Sequence, residues 1–204
     1  MQSVPDVLLR KAVKMVRVSR ETADTHKREL ADAAGRLFRE RGLGGVGVAE
    51  IGRAAGLTHG AIYSSFASKG ELAMAALKAG REASRNRTMK AVGANPDVKT
   101  ILAHYVSKRQ RDDRINCCPM VASASEAARQ DSGYRSAFAE IFFELASTVE
   151  AAIERRGASD ARRRALAVAA GMIGAVAVAR ALDGRAADEL LDAARTSLTE
   201  LADS

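Results

Sequence analysis

The sequence predicts an all-α fold, an N-terminal three-helix unit holding a helix-turn-helix joined to a C-terminal helical domain. Three observations predict it. Ala, Arg and Glu are abundant and only three Pro interrupt 204 residues, a composition that favours helix. No run of alternating β-branched residues lasts long enough to read as a strand. The stretch from Gly47 to Leu72, GVAEIGRAAGLTHGAIYSSFASKGEL, reads as two short helices joined by a tight turn, with a third starting at once. A hydrophobic content of 47% argues against disorder, and 4% aromatics with no Trp point to an aliphatic, Ala-rich interior.

Residues 1–19 carry Arg10, Lys11, Lys14 and Arg17 with little periodicity. They read either as a flexible basic arm or as an extension ahead of a start at Met15. The first firm helix is expected from about Arg20 to Arg41. Leu30, Ala33, Ala34, Leu37 and Phe38 fall at i, i+3, i+4, i+7 and i+8, a single apolar face. Gly42, Gly44, Gly45 and Gly47 end it. RGLGGVG invites comparison with a phosphate-binding loop, but it lacks both a Lys-Ser/Thr ending and a preceding strand.

In the helix-turn-helix, at about 47–66, Ile51, Ala55, Leu57 and Ile62 have the spacing of a small core shared by two crossed helices. Gly52 leaves room for the second helix. Gly56 suits a left-handed helix stop, and Thr58 is expected to cap the second helix through its hydroxyl. Ser68-Lys69-Gly70-Glu71 has the pattern of a reciprocal capping box. It opens a helix expected to run to about Lys90, with Lys69 in a first turn whose dipole favours an anion.

Gly93-Ala94-Asn95-Pro96 marks a boundary, with Asn95 expected as cap and Pro96 as first helical residue. The predicted divisions are thus 1–19, 20–70, a connecting segment 71–95 and a domain 96–204. Val98, Ile101, Leu102, Tyr105 and Val106 stripe one helix, and Cys118-Pro119 opens another to about Arg129. Asp131, Ser132 and Gly133 break the chain again. Tyr134, Phe138, Ile141, Phe142, Leu145, Val149 and Ile153 stripe a long helix that stops at Gly157. That stripe reads as core, with a ligand-lining face as the alternative. Asp160 is expected to cap a helix apolar all round from Ala165 to Ala179, and Leu182 to Gly184 close it. Leu190, Leu191, Ala194, Leu198 and Leu201 stripe the last helix. Such closing helices carry more apolar surface than one chain is expected to cover, which points to a symmetric partner; intramolecular burial alone is the alternative.

Charge adds a partner class. The net charge is +7, and residues 1–70 hold 12 Lys and Arg against 7 Asp and Glu. Excess positive charge around the helix-turn-helix suits phosphates, though a generally basic surface would look alike. Two adjacent Cys form no disulfide framework, no secretory signal is recognisable, and the apolar run 165–179 is too short to span a bilayer. A cytoplasmic, nucleoid-associated protein is expected, with no membrane partner, cofactor or metal.

These residues and motifs resemble the tetracycline-repressor (TetR) family of bacterial transcriptional regulators. The similarity is most specific over residues 26–72, in LF-x-x-x-G before the helix-turn-helix, IYxxF within its second helix and SKxEL after it. Part of the family opens a helix with Gly-Cys-Pro; this chain has Cys117-Cys118-Pro119. The resemblance implies a homodimeric regulator, a repressor, that leaves a double-stranded operator when an unidentified small molecule binds its C-terminal domain. Carried over by position, Thr58, His59, Gly60, Ala61 and Ser64 would face bases or nearby phosphates. Tyr63, Lys69 and Thr25 or Arg28 would hold phosphates, while Phe66 packs. Gly60 and Ala61 offer only close approach or thymine-methyl contact, so shape readout would matter. Tyr105, Cys117, Cys118, Met120, Phe138 and Phe142 are the expected ligand-binding residues. Leu166, Ala170, Ile173, Gly174 and Val178, with Leu190, Leu191 and Leu198, are those expected at the dimer interface.

Two other readings remain. Cys117 and Cys118 beside a helix N-terminus and Arg114 would suit a thiol or electrophile sensor of the same fold, against plain packing of small residues. An enzyme is disfavoured because His26, His59 and His104 are scattered without metal-ligand spacing or a nucleophile elbow. A helical interaction protein would leave the capped, basic helix-turn-helix unexplained.

Overall fold

The computed structural model describes residues 4–157 and 160–204, and for residues 4–19 and His59 the backbone alone. Among the described residues the chain forms ten helices and no strand. They are α1 (Val4–Arg41), α2 (Val48–Ala54), α3 (His59–Ser65), α4 (Lys69–Val92), α5 (Val98–Tyr105), α6 (Lys108–Asp112), α7 (Pro119–Ala127), α8 (Ser132–Glu154), α9 (Ala161–Ala179) and α10 (Gly184–Asp203).

The N-terminal head packs α1, α2 and α3 around Leu30, Ala33, Ala34, Phe38, Ile51 and Ile62, all buried. The helix expected from Arg20 begins earlier, at Val4, so α1 runs through the stretch read as an arm. Residues 1–3 and the side chains through residue 19 lie outside the described residues. Helix α1 stops where Gly42 takes φ +77° and its N–H reaches the Phe38 carbonyl at 2.9 Å. A side chain would be strained there. Leaving the head, α4 has 24 residues, about 36 Å of helix, and its first turns share the head's core through Leu72, Ala73 and Ala76.

Beyond Gly93 the start of the next helix differs from expectation. Asp97, not Asn95, is the cap, accepting from the Thr100 N–H at 2.7 Å, and α5 begins at Val98 rather than Pro96. A carboxylate is the stronger acceptor at a helix dipole. The Pro96 carbonyl is instead taken by Arg155, at 2.6 Å. Helix α6 was not foreseen, because KRQRD has no apolar period. It is held by side chains from elsewhere. Arg180 donates to the Arg111 and Gln110 carbonyls at 3.1 and 2.9 Å, and Asp188 accepts from Lys108 and Arg111 at 2.6 and 2.7 Å. Asp131, read only as part of a break, caps α8 by accepting from the Tyr134 N–H at 2.8 Å.

Helix α9 is not buried on every side. It lies between α8 and α10, with Val168, Ala169, Met172 and Val176 buried, while Ala170 and Gly174 are exposed and Val178 is 52% exposed. Small residues keep its open face shallow rather than enclosed. Asp160 stands at its N-cap, yet its side chain accepts from Arg163 at 3.1 Å and makes no cap bond. The close approach foreseen on α9 occurs within the chain at Gly171, where a Cβ would lie 2.6 Å from Leu198. Of the residues assigned to a dimer face, Ile173 and Leu191 are buried in the protomer core, 6% and 2% exposed. Leu166, Leu190 and Leu198 are half-buried. Among the described residues no helix is long and apolar enough to cross a membrane.

Candidate nucleic-acid interface

The pair α2 and α3 is fixed by one backbone choice. A Cβ at Gly52 would lie 2.3 Å from the tip of the Ile62 side chain, so any side chain here forces Ile62 to move if α3 is to sit this close. Gly56 takes φ +69° in the turn, and the Leu57 N–H closes back on the Gly52 carbonyl at 2.9 Å. Ile51 and Ile62 then fill the wedge between the helices. Thr58 occupies the N-cap of α3 with extended backbone, but its hydroxyl makes no cap bond, contrary to expectation. The short turn is held by Gly56 and by buried Ile62, so the cap is dispensable.

What α3 offers outward is sparse. Tyr63 is 55% exposed, and Gly60 has open space where a Cβ would be. Ser64 and Ser65 turn their hydroxyls back onto the Ala61 carbonyl, at 3.0 and 2.7 Å. A serine bonded this way has spent its donor, leaving lone pairs for a partner. Phe66 is buried and ends the helix, as its packing role requires. The side chain of His59 lies outside the described residues.

Two flanking positions complete the set. On α1, the Arg28 guanidinium donates to the Thr25 hydroxyl at 3.3 Å and the Asp24 carbonyl at 3.3 Å, so these exposed neighbours form one small polar group. At the start of α4, Ser68 accepts from the Glu71 N–H at 3.1 Å. The return bond goes one residue further back than the reciprocal pattern, from the Ala67 N–H to Glu71 at 2.7 Å. The Lys69 ammonium stands 5.9 Å from the centre of the Phe38 ring, a cation–π distance. Asp131 also closes on this end, since a Cβ on Gly70 would lie 2.8 Å from its carboxylate. With Glu71 and Asp131 already there, the dipole of α4 meets negative charge from within the protein. The anion-binding capacity at this corner therefore rests on the Lys69 side chain.

Sequence spacing gave no sign of what ties the head to the C-terminal domain. The Glu126 carboxylate of α7 accepts from the Leu43 N–H at 2.9 Å, and Arg39 of α1 donates to the Ile115 carbonyl at 2.6 Å. Both bonds cross more than seventy residues of chain, beyond any local pattern. They border a shallow crevice lined by Phe38, Leu43, Leu77 and Pro119.

The residues assigned to a ligand divide. Tyr105, Cys118 and Met120 are core residues, and the Tyr105 hydroxyl is buried beside the Cys118 thiol. Cys117 is buried and lines a separate polar crevice. Phe138 and Phe142 are half-buried on α8, and the Phe142 ring meets exposed Phe143 edge-on at 5.6 Å. Both thiols are 1% exposed. Burial raises the Cys118 thiol above its ordinary range, where a helix N-terminus was expected to lower it. Desolvation outweighs the dipole at Cys118. No group of three or more His, Cys, Asp or Glu suited to a metal occurs among the described residues.

Known proteins share this arrangement. Residues 30–76 match the bacterial regulatory proteins of the tetR family, and residues 96–196 match the C-terminal domain of LmrA/YxaF-like transcriptional regulators. The chain belongs to the TetR family. Among curated relatives, the HTH-type transcriptional regulator TtgR of Pseudomonas putida is 41% identical over 63 residues, which is 31% of this chain and 30% of that protein. The likeness to TtgR thus spans under a third of its length. A TetR-family transcriptional regulator from Cytophaga hutchinsonii superposes with a TM-score of 0.74 at 21% identity, covering 88% of this chain and 96% of that one. One from Chloroflexus aurantiacus does so with 0.72 at 27% identity, covering 88% and 95%. The TetR fold therefore extends across the head and the C-terminal domain alike.

Proposed function

We propose that this TetR-family protein is a sequence-specific, DNA-binding transcriptional repressor that acts as a homodimer and leaves its operator when a small molecule binds the C-terminal domain. The observation that carries this reading is the Gly52–Ile62 contact, which locks α3 onto α2 while Tyr63 stays exposed. A short helix held rigidly with one face open is what major-groove insertion needs. Thr58, His59, Gly60, Ala61 and Ser64 lie nearest the bases in this reading. Tyr63, Lys69, Thr25 and Arg28 grip phosphates.

The exposed small face of α9, with Ala170, Gly174 and Val178, supports a symmetric pairing of two copies. Repression follows when the two α3 helices stand about 34 Å apart, one helical turn of DNA. A ligand that favours another spacing releases the operator by linkage. The junction bonds Glu126–Leu43 and Arg39–Ile115 give the C-terminal domain a direct hold on the head.

The test is a gel shift with DNA flanking the protein's own gene, followed by a screen for compounds that release it. Binding of one fragment as a dimer, weakened in Tyr63→Ala, is the expected result. Equal binding to all fragments at every salt concentration would reject the sequence-specific reading.

A further inference from the structure

The corner between α7 and α8 reaches into the head at two places, and each is marked by a glycine. Glu126, in the last turn of α7, accepts from the Leu43 N–H at 2.9 Å, just past the point where α1 stops. A Cβ on Gly42 would lie 2.9 Å from the other oxygen of that carboxylate. Across the turn, Asp131 gives one oxygen to the Tyr134 N–H at 2.8 Å, capping α8. Its other oxygen lies 2.8 Å from where a Cβ on Gly70 would be, at the start of α4. The turn that carries both carboxylates is closed by backbone bonds, from the Arg129 N–H to the Glu126 carbonyl at 3.0 Å and from the Gln130 N–H to the Ala127 carbonyl at 3.1 Å.

The two glycines differ in what demands them. Gly42 takes φ +77°, a conformation that disfavours any side chain. Gly70 lies in the first turn of α4 with no such backbone demand, where glycine weakens a helix relative to alanine. What Gly70 provides is room for the Asp131 carboxylate, whose place is already set by its bond to α8. A carboxylate there also meets the positive end of α4, as it does at α8. At the other seat, a backbone N–H held by a carboxylate is among the stronger hydrogen bonds.

These seats bracket the helix-turn-helix. Leu43 stands five residues before α2 begins at Val48, and Gly70 five residues after α3 ends at Ser65. One corner of the C-terminal domain thus holds both flanks of the pair. Buried Ala127 and Tyr134 anchor that corner in the core. We propose that Glu126 and Asp131 are positioning residues for DNA binding: they fix the angle of α2 and α3 on the C-terminal domain, and with it the half-site spacing that the dimer accepts. Neither side chain touches DNA in this assignment. Each head of a dimer hangs from its own C-terminal domain, so a head freed from the corner tolerates a wider range of spacings. This inference rests on the reading of the protein as an operator-binding homodimer, and the two are separable by experiment.

Gel shifts with the full-length protein test it, on the fragment bound best and on versions with the half-sites moved closer or further apart in single base-pair steps. Each step shifts one half-site by about 3.4 Å and turns it by about 34°. Wild type should lose about tenfold or more per step, whereas Glu126→Ala and Gly70→Ala should lose about threefold or less, a flattened profile. Gly70→Ala adds one methyl group and favours the helix, which guards the test against a Glu126→Ala protein that fails to fold. Glu126→Gln keeps an oxygen for the Leu43 N–H and should keep the wild-type profile. A profile as steep as wild type in Gly70→Ala, or a flat one in Glu126→Gln, overturns the assignment. Parallel profiles at lower affinity also overturn it, since they mark lost stability alone. A wild-type protein that binds no fragment rejects the operator-binding reading, and the positioning role with it. One that binds but is indifferent to spacing rejects the positioning role alone.

Discussion

The head and the C-terminal domain are both helical and both rich in small residues, but their glycines act in opposite ways. Gly52 in α2 is enclosed: a Cβ would collide with Ile62 at 2.3 Å. Gly174 in α9 faces open space, with nothing within 4 Å of its missing Cβ. One glycine sets the angle of a helix pair inside the protein. The other leaves a shallow outer face against which a second copy can press. The same residue type thus specifies an internal joint in one place and an external surface in another, and burial alone tells them apart.

Placing valine at each site breaks or sharpens this contrast. Gly52→Val overpacks the α2–α3 wedge and is expected to cost about 3 kcal/mol of stability. It should also lower operator affinity by more than about a hundredfold, about 2.8 kcal/mol, because α3 is displaced. Chemical denaturation and gel shifts read both effects, and a fold and affinity equal to wild type would refute the tight joint. Gly174→Val should leave protomer stability within about 0.5 kcal/mol. Its effect belongs to the dimer, with self-association weakened roughly tenfold in sedimentation equilibrium, about 1.4 kcal/mol. A dimer as tight as wild type would move the interface away from α9.

Smaller effects probe each region separately. Tyr63→Ala is expected to weaken binding to all operator sequences by about tenfold. Lys69→Ala should weaken it less and reduce the salt slope by about 1, the signature of one lost phosphate contact. An unchanged slope would show that Lys69 serves Phe38 rather than DNA. In the C-terminal domain, His104 supplies the weakest signal. Its pKa is lowered in the folded state, so the unfolded chain takes up the proton first. Its contribution is therefore steady above about pH 6.5 and turns unfavourable as pH falls below that. His104→Gln should remove under about 1 kcal/mol of that loss, since the ring is only half-buried. Melting curves from pH 7.5 to 5 would show the difference, and parallel curves for both proteins would discount it.

Much of the head was legible because its determinants are local. Leu30 to Phe38 repeat at helical spacing, Gly56 marks a turn, and Ser68 with Glu71 marks a helix start, each within a few residues. Where the reading missed, two local options competed. Thr58 had the chemistry of a cap that the turn did not use, and Asp97 displaced Asn95 because both can cap and only one faces the Thr100 N–H. In the C-terminal domain the stripes were legible but their partners were not. Ile173 and Val178 look equivalent on paper, and only the packing of α9 among its neighbouring helices buries the first and leaves the second open. Helix α6 escaped notice because Arg180 and Asp188, some seventy residues away, hold it.

By itself the sequence determined the helices that carry an apolar stripe, the helix-turn-helix and the family, since periodicity, turns and caps act between near neighbours. The tertiary structure alone decided which face of α9 is open, how Glu126 and Arg39 clasp the head, and where the Gln110 side-chain oxygen is buried without a partner. Those depend on which distant helices meet, and burial and long-range pairing arise only once the whole chain has packed.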